Sequence, residues 1–133
     1  MKSFSKLLRD SKPIYIENSR VPVILSYIAP ITIGAITLGP FIFSRGVMDE
    51  DTRQHEAIHW QQYIDCGIIL FPLLYLFYYV WGYIKYQDQL PAYLSIPFEQ
   101  EAYSKEREKN YLQNRRLQPS QGYGFFQLAF HLW

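Results

Sequence analysis

The sequence predicts an α+β fold, in which a small β-hairpin or sheet precedes a core of three helices, all within one domain spanning residues 1–133. Three observations lead there. Residues 21–43 carry no charge, are broken by Pro22, Pro30, Gly34, Gly39 and Pro40, and are rich in β-branched and aromatic side chains, which suits strands and turns. Asp49-Glu50-Asp51 and Gly67 bracket a helix-length segment with an acidic start and a glycine stop. Farther on, an uncharged stretch over 66–84 and a Glu- and Lys-rich stretch after Pro97 both read as helices.

In order, the first twelve residues form a short, loosely held amphipathic arm with basic Lys2, Lys6, Arg9 and Lys12. Ile14-Tyr15-Ile16 suits a short strand. Strands are also expected at Ile31–Ile33, Ala35–Leu38 and Phe41–Ser44, the last two joined by a Gly39-Pro40 turn. The next helix is capped by Asp49 or Asp51; with Asp51 as cap, Gln54 completes an approximate capping box. It runs to about Cys66. After the apolar segment and a loop around Gln87–Pro91, the third helix runs from Pro97 to about Asn114. The tail, Gln118 to Trp133, reads as irregular.

Composition narrows the function. A hydrophobic fraction of 49% argues against global disorder, and a net charge of +1 gives no electrostatic case for nucleic acid. Arg115-Arg116 reads as solvated surface. A single cysteine, Cys66, excludes an internal disulfide, and the charged first twenty residues lack a secretory signal's apolar stretch. The expected location is cytoplasmic or peripheral to a membrane.

His55-Glu56-Ala57-Ile58-His59 carries the chemistry. Histidines four apart share one helix face, about 6 Å from each other, so both imidazoles can reach one zinc ion. Glu56, beside the first of them, suits a general base for a zinc-activated water. A catalytic zinc needs a third protein ligand. Gln62 and Asp65 stand where a third histidine would be, and His131 lies in the tail, so a carboxylate from Pro97–Tyr103 is the better candidate. Glu99 shares a helical face with Ala102, Tyr103 and Glu106, whereas Glu101 points about 200° away on a stripe with Lys105 and Glu108 that reads as solvated. Glu99 is therefore the expected ligand and Glu101 the alternative.

These residues resemble the gluzincin zinc peptidases, the class of thermolysin and of membrane CAAX-type proteases. That class takes its third ligand from a glutamate on a later helix, as Glu-x-x-Ala-Asp or Glu-x-x-x-Asp. More closely, the stretch from Ile31 to Tyr103 is similar to small bacterial and phage proteins regarded as metallopeptidases, with a Gly-Pro strand pair, His-Glu-x-x-His-x-x-Gln and Pro-x-Glu-x-x-Ala. The resemblance implies a zincin-like core, with Glu99 as ligand and a strand within 35–44 that holds substrate backbone by edge pairing. Tyr103 departs from it, standing where the class often has an aspartate that accepts from a ligand histidine. Gln62 reads equally as an orienting amide or a polar residue near the helix end.

Three functions follow: a zinc endopeptidase acting on peptide or protein substrates through Glu56; a non-catalytic, zinc-stabilised module that binds a membrane or partner; and a small membrane protein with incidental histidines. A single bilayer crossing by residues 66–84 would start His59 and Glu99 on opposite faces, among charges that are costly to bury. The segment is instead expected to pack on the domain or lie in a membrane surface.

Overall fold

A two-residue turn at Gly39-Pro40 organises the sheet. Gly39 has φ of +61°, which suits the type II′ hairpin pattern with glycine at the first central position. It joins β2 (Ala35–Leu38) to β3 (Phe41–Ser44) as antiparallel partners, with Ala35 opposite Ser44 and Leu38 opposite Phe41. Strand β1 (Ile14–Ile16) pairs in parallel on the other side of β3, giving the order β1-β3-β2 and leaving β2 at an edge. The computed structural model describes residues 4–29 and 32–117; Ile31, the tail from Gln118 and His131 lie outside them.

Seven helices complete the α+β fold of the described residues: α1 (Phe4–Asp10), α2 (Val21–Ser26), α3 (Glu50–Cys66), α4 (Leu70–Tyr86), α5 (Gln89–Leu94), α6 (Pro97–Lys105) and α7 (Tyr111–Leu117). The short strand, the hairpin, α3 and the apolar helix α4 stand about where the sequence places them. Helix α2 occupies part of the proline-broken segment expected to avoid helix, because Pro22 sits in its first turn, where no amide donor is needed. Thr32 and Ile33 are not in a strand. The Ile33 amide donates to Ser26 Oγ at 2.8 Å and its carbonyl accepts from Arg45 Nε at 2.6 Å, so side chains replace a strand neighbour.

Helix α3 is capped by Asp49, whose carboxylate accepts from the Thr52 amide at 2.7 Å. Asp51 instead pairs with Arg107, and Gln54 forms no capping box. Its amide donates to the carbonyls of Lys105 at 2.8 Å and Glu108 at 2.6 Å. Those bonds satisfy the chain where α6 ends, and the helix expected to reach Asn114 is in fact two. The loop expected around Gln87–Pro91 is largely helix α5. Gly82 lets α5 approach α4, since a Cβ there would lie 2.5 Å from Ser95 Oγ.

Helix α3 runs through the middle of the domain, with residues His55 to Tyr63 all buried. Its Trp60 and Tyr63 pack with Phe71, Tyr78, Ile96 and Phe98, and its Ile58 packs with Ala102 and Tyr111. Polar ties fix it to the sheet. Glu17, just past β1, accepts from the Met48 amide at 2.6 Å and from Arg53 at 3.0 Å, and Tyr63 donates to the Thr37 carbonyl on β2 at 3.1 Å. The amino-terminal arm is held more firmly than expected, by Gln61 donating to the Arg9 carbonyl at 3.0 Å and by the Trp60 indole facing Ser11. Helix α4 spans 17 residues, about 25 Å at 1.5 Å per residue. Among the described residues no single helix is long and apolar enough to cross a membrane.

Candidate metal centre

One turn of α3 places His55 and His59 on the same face, with ring centroids 4.9 Å apart, and α6 brings Glu99 against both. Glu99 Oε1 lies 3.0 Å from His55 Nε2 and 3.2 Å from His59 Nε2. All three residues are buried, at 7%, 5% and 4% exposure. Ligands about 2.0–2.2 Å from a tetrahedral zinc sit roughly 3.3–3.5 Å apart, so this spacing accepts an ion with a slight expansion. The three residues together can hold a metal ion, their ligand atoms lying within 4.8 Å of one another.

Electrostatics agree with a site that a cation completes. Burial alone would lower the His59 pKa, but the Glu99 carboxylate beside it raises it to about 9. Burial would likewise raise Glu99, yet the two imidazoles hold its carboxyl far below the usual range. The cluster keeps a positive charge against a buried carboxylate, the position that a divalent ion would take over.

Each of the three residues has a polar neighbour behind it. The Gln62 amide nitrogen donates to the Phe98 carbonyl and to Glu101 Oε1, both at 3.0 Å, so its oxygen faces His59 and accepts from Nδ1 at 2.7 Å. That fixes the proton of a neutral His59 on Nδ1 and leaves Nε2 for the ion. Glu106 Oε2 lies 3.7 Å from His55 Nδ1, too long for a good hydrogen bond but close enough for charge attraction. Tyr103 does not accept from a ligand histidine. Its ring packs edge-on against His55 with centroids 4.4 Å apart, and its hydroxyl meets Tyr93 at 3.1 Å. Tyr75 donates to Glu99 Oε2 at 2.7 Å, leaving Oε1 toward the histidines.

Glu101, the alternative ligand, points away from the cluster but is not solvated. It is completely buried and paired with Arg115, which is 2% exposed, contrary to the surface reading of the Arg115-Arg116 pair. Arg115 also reaches Asp65 at 2.8 Å, and Tyr111 donates to Glu101. Burial would raise the Glu101 carboxyl, but its hydrogen bond and charge attraction to Arg115 hold it below its ordinary value. The gap between α6 and α7 turns the chain back so that Tyr111 and Arg115 reach Glu101, a long-range contact with no signature in local sequence.

Glu56 leaves the histidine face and turns to β2, where its Oε2 accepts from Thr37 Oγ1 at 2.7 Å. Thr37 therefore belongs to the site, though one threonine in a short strand gives no prior sign of it. Tyr75 was equally hidden among the tyrosines of α4, while Glu106 was legible from the face it shares with Glu99. The cluster opens into a cleft of about 1090 Å³, lined by β2, by α4 and α5 residues such as Pro72, Leu76 and Leu90, and by Glu56. No protein-family model, curated protein or solved structure matches the chain.

Proposed function

We propose that this chain is a zinc-dependent endopeptidase of gluzincin type, its helices forming a zincin-like core around His55, His59 and Glu99. The observation that carries the reading is one arrangement: two imidazole nitrogens from successive turns of α3 converge on one Glu99 oxygen, and Glu56 lies between them in sequence, facing the same cleft. His55, His59 and Glu99 would hold a zinc ion, which would supply Lewis acidity and a water of lowered pKa.

The chain's own groups supply the rest. Glu56 takes the proton of the attacking water and delivers it to the departing amine nitrogen. Thr37, hydrogen-bonded to Oε2, keeps the carboxylate turned toward the β2 side of the cleft. The edge of β2 offers backbone groups to an extended substrate strand. Tyr93 and Tyr103 line the cleft with their hydroxyls paired, and burial raises the pKa of both, so they remain protonated donors for a developing oxyanion.

A second reading keeps the zinc and dispenses with catalysis: a metal-stabilised module peripheral to a membrane. It is favoured by the outer face of α4, where Leu73, Phe77, Val80 and Ile84 are all exposed. Glu56→Gln separates the two. Under the peptidase reading it retains about one zinc per chain and loses peptide hydrolysis; hydrolysis at the wild-type rate would remove Glu56 from the chemistry.

A further inference from the structure

The side-chain alternation of the sheet is inverted. Its inward face, against α3, carries polar groups: Tyr15 reaches the Arg53 carbonyl, Thr37 meets Glu56, and Ser44 is buried along with Ile42. The register puts the other side chains outward, with Ile14 and Leu38 both opposite Phe41, and Ile16 and Ile36 both opposite Phe43. Every outward position of the strands is therefore apolar. Ile14, Phe41, Leu38 and Ile16 are 54%, 43%, 42% and 36% exposed. A sheet with one face on the core ordinarily turns polar side chains toward water. A contiguous apolar patch in their place marks a contact surface.

The charges around the patch select its occupant. Lys12 is exposed two residues before Ile14. Arg20 is exposed next to Ser19, whose amide extends the β1–β3 pairing to the Ser44 carbonyl at 2.7 Å. The Arg45 amide donates to the Gly34 carbonyl at 2.9 Å, so Arg45 continues the outward series of Phe41 and Phe43, its exposed guanidinium resting on the Ile33 carbonyl and Ser26. Among the described residues no carboxylate stands at an outward position of the strands or of these extensions. A symmetric dimer through this face would bring like cations together with no acid between them. A phospholipid surface meets both halves of the pattern, taking the apolar centre at the acyl boundary and the cations at the phosphates. We propose that the outward face of the sheet docks on anionic phospholipid bilayers, with Ile14, Leu38 and Phe41 at the centre of the contact and Lys12, Arg20 and Arg45 at its rim. This contact is independent of the reaction in the cleft, and it uses the strands rather than the outer face of α4.

The test sediments the full chain with vesicles of phosphatidylcholine, alone or mixed with phosphatidylglycerol in equal parts. Wild type should bind the anionic vesicles at least about tenfold more tightly than the neutral ones, a preference that high salt should largely remove. Phe41→Glu should weaken anionic binding at least about tenfold while the far-ultraviolet circular dichroism stays unchanged. Lys12→Gln with Arg20→Gln keeps the apolar centre and should cost about fivefold per charge. Leu73→Glu with Val80→Glu, on α4, should leave anionic binding as it is. Should Phe41→Glu unfold, the two-cation variant and the salt dependence still decide. A wild type that stays in solution with anionic vesicles, or that binds neutral ones equally, would overturn the assignment. So would binding lost through the α4 variant but not the sheet variants, or a dimer that Phe41→Glu dissociates.

Discussion

Replacing Arg115 with methionine should be the most damaging single change outside the candidate metal centre. The arginine is 2% exposed and Glu101 is fully buried; they pair through both guanidinium nitrogens that face the carboxylate. Methionine fills much of the volume but leaves Glu101 with only Tyr111 and Gln62 as donors. An uncompensated buried charge of this kind costs about 3–5 kcal/mol, a large part of a small domain's stability. For a chain of this length that lowers the melting temperature by roughly 10–20 °C. The pH dependence supplies an internal check. Glu101 has a depressed folded-state pKa, so its contribution in wild type is present above the ordinary glutamate value and is lost as pH falls through the folded value. In the variant a protonated Glu101 needs no cation, so the difference between the two proteins should shrink below about pH 4.5. Urea unfolding of wild type, Arg115→Met and Glu101→Gln with Arg115→Met would show this, the double variant recovering most of the loss. A loss under 1 kcal/mol at pH 7, or a double variant no better than the single, would refute the argument.

Four further outcomes test the site and its surroundings. Gln62→Leu should weaken zinc binding by about 10–100-fold, because His59 loses the acceptor that fixes its tautomer; competition with a chromophoric chelator reads this. Zinc must displace the His59 proton, so affinity should rise about tenfold per pH unit from 7 and level off near 9, measured by the same competition. The metal-free protein should show the opposite slope: the raised His59 pKa contributes stability fully below 6.5, and that contribution is lost as pH rises through about 9. Finally, if the outer face of α4 meets lipid, wild type should sediment with phosphatidylcholine vesicles and Leu73→Glu with Val80→Glu should not; a wild type that stays in solution would remove the membrane contact.

Legibility in the sequence followed range. The hairpin was readable because Gly39-Pro40 is local turn chemistry between β-branched runs, and the limits of α3 because Asp49 and Gly67 act within one turn. The grouping of His55, His59 and Glu99 was readable because four-residue spacing is a helix face and because Glu99 and Glu101 face opposite ways on α6. What failed depended on contacts across the chain. Gln54 looks like a capping residue until the carbonyls of Lys105 and Glu108 arrive from fifty positions away. Arg115 looks solvated until the chain turns between α6 and α7 and returns it to Glu101.

The two glutamates of α6 give the site its logic. Glu99 faces the histidines of α3, and Glu101, on the other side, is held by Gln62 of α3 and by Arg115 of α7. Helix α6 is thus tied to α3 by polar contacts on both flanks, with Phe98 and Ala102 packed into the core around them. Gln62 joins the two halves, giving its amide to Glu101 and its carbonyl oxygen to His59. A structural ion pair therefore sets the direction of a candidate metal ligand, and burial of these five ionisable groups in one layer is tolerable because opposite charges meet there. Loosening Arg115 should reach His59 through this chain of contacts, so the variant that loses stability should also lose zinc affinity, although Arg115 touches no ligand.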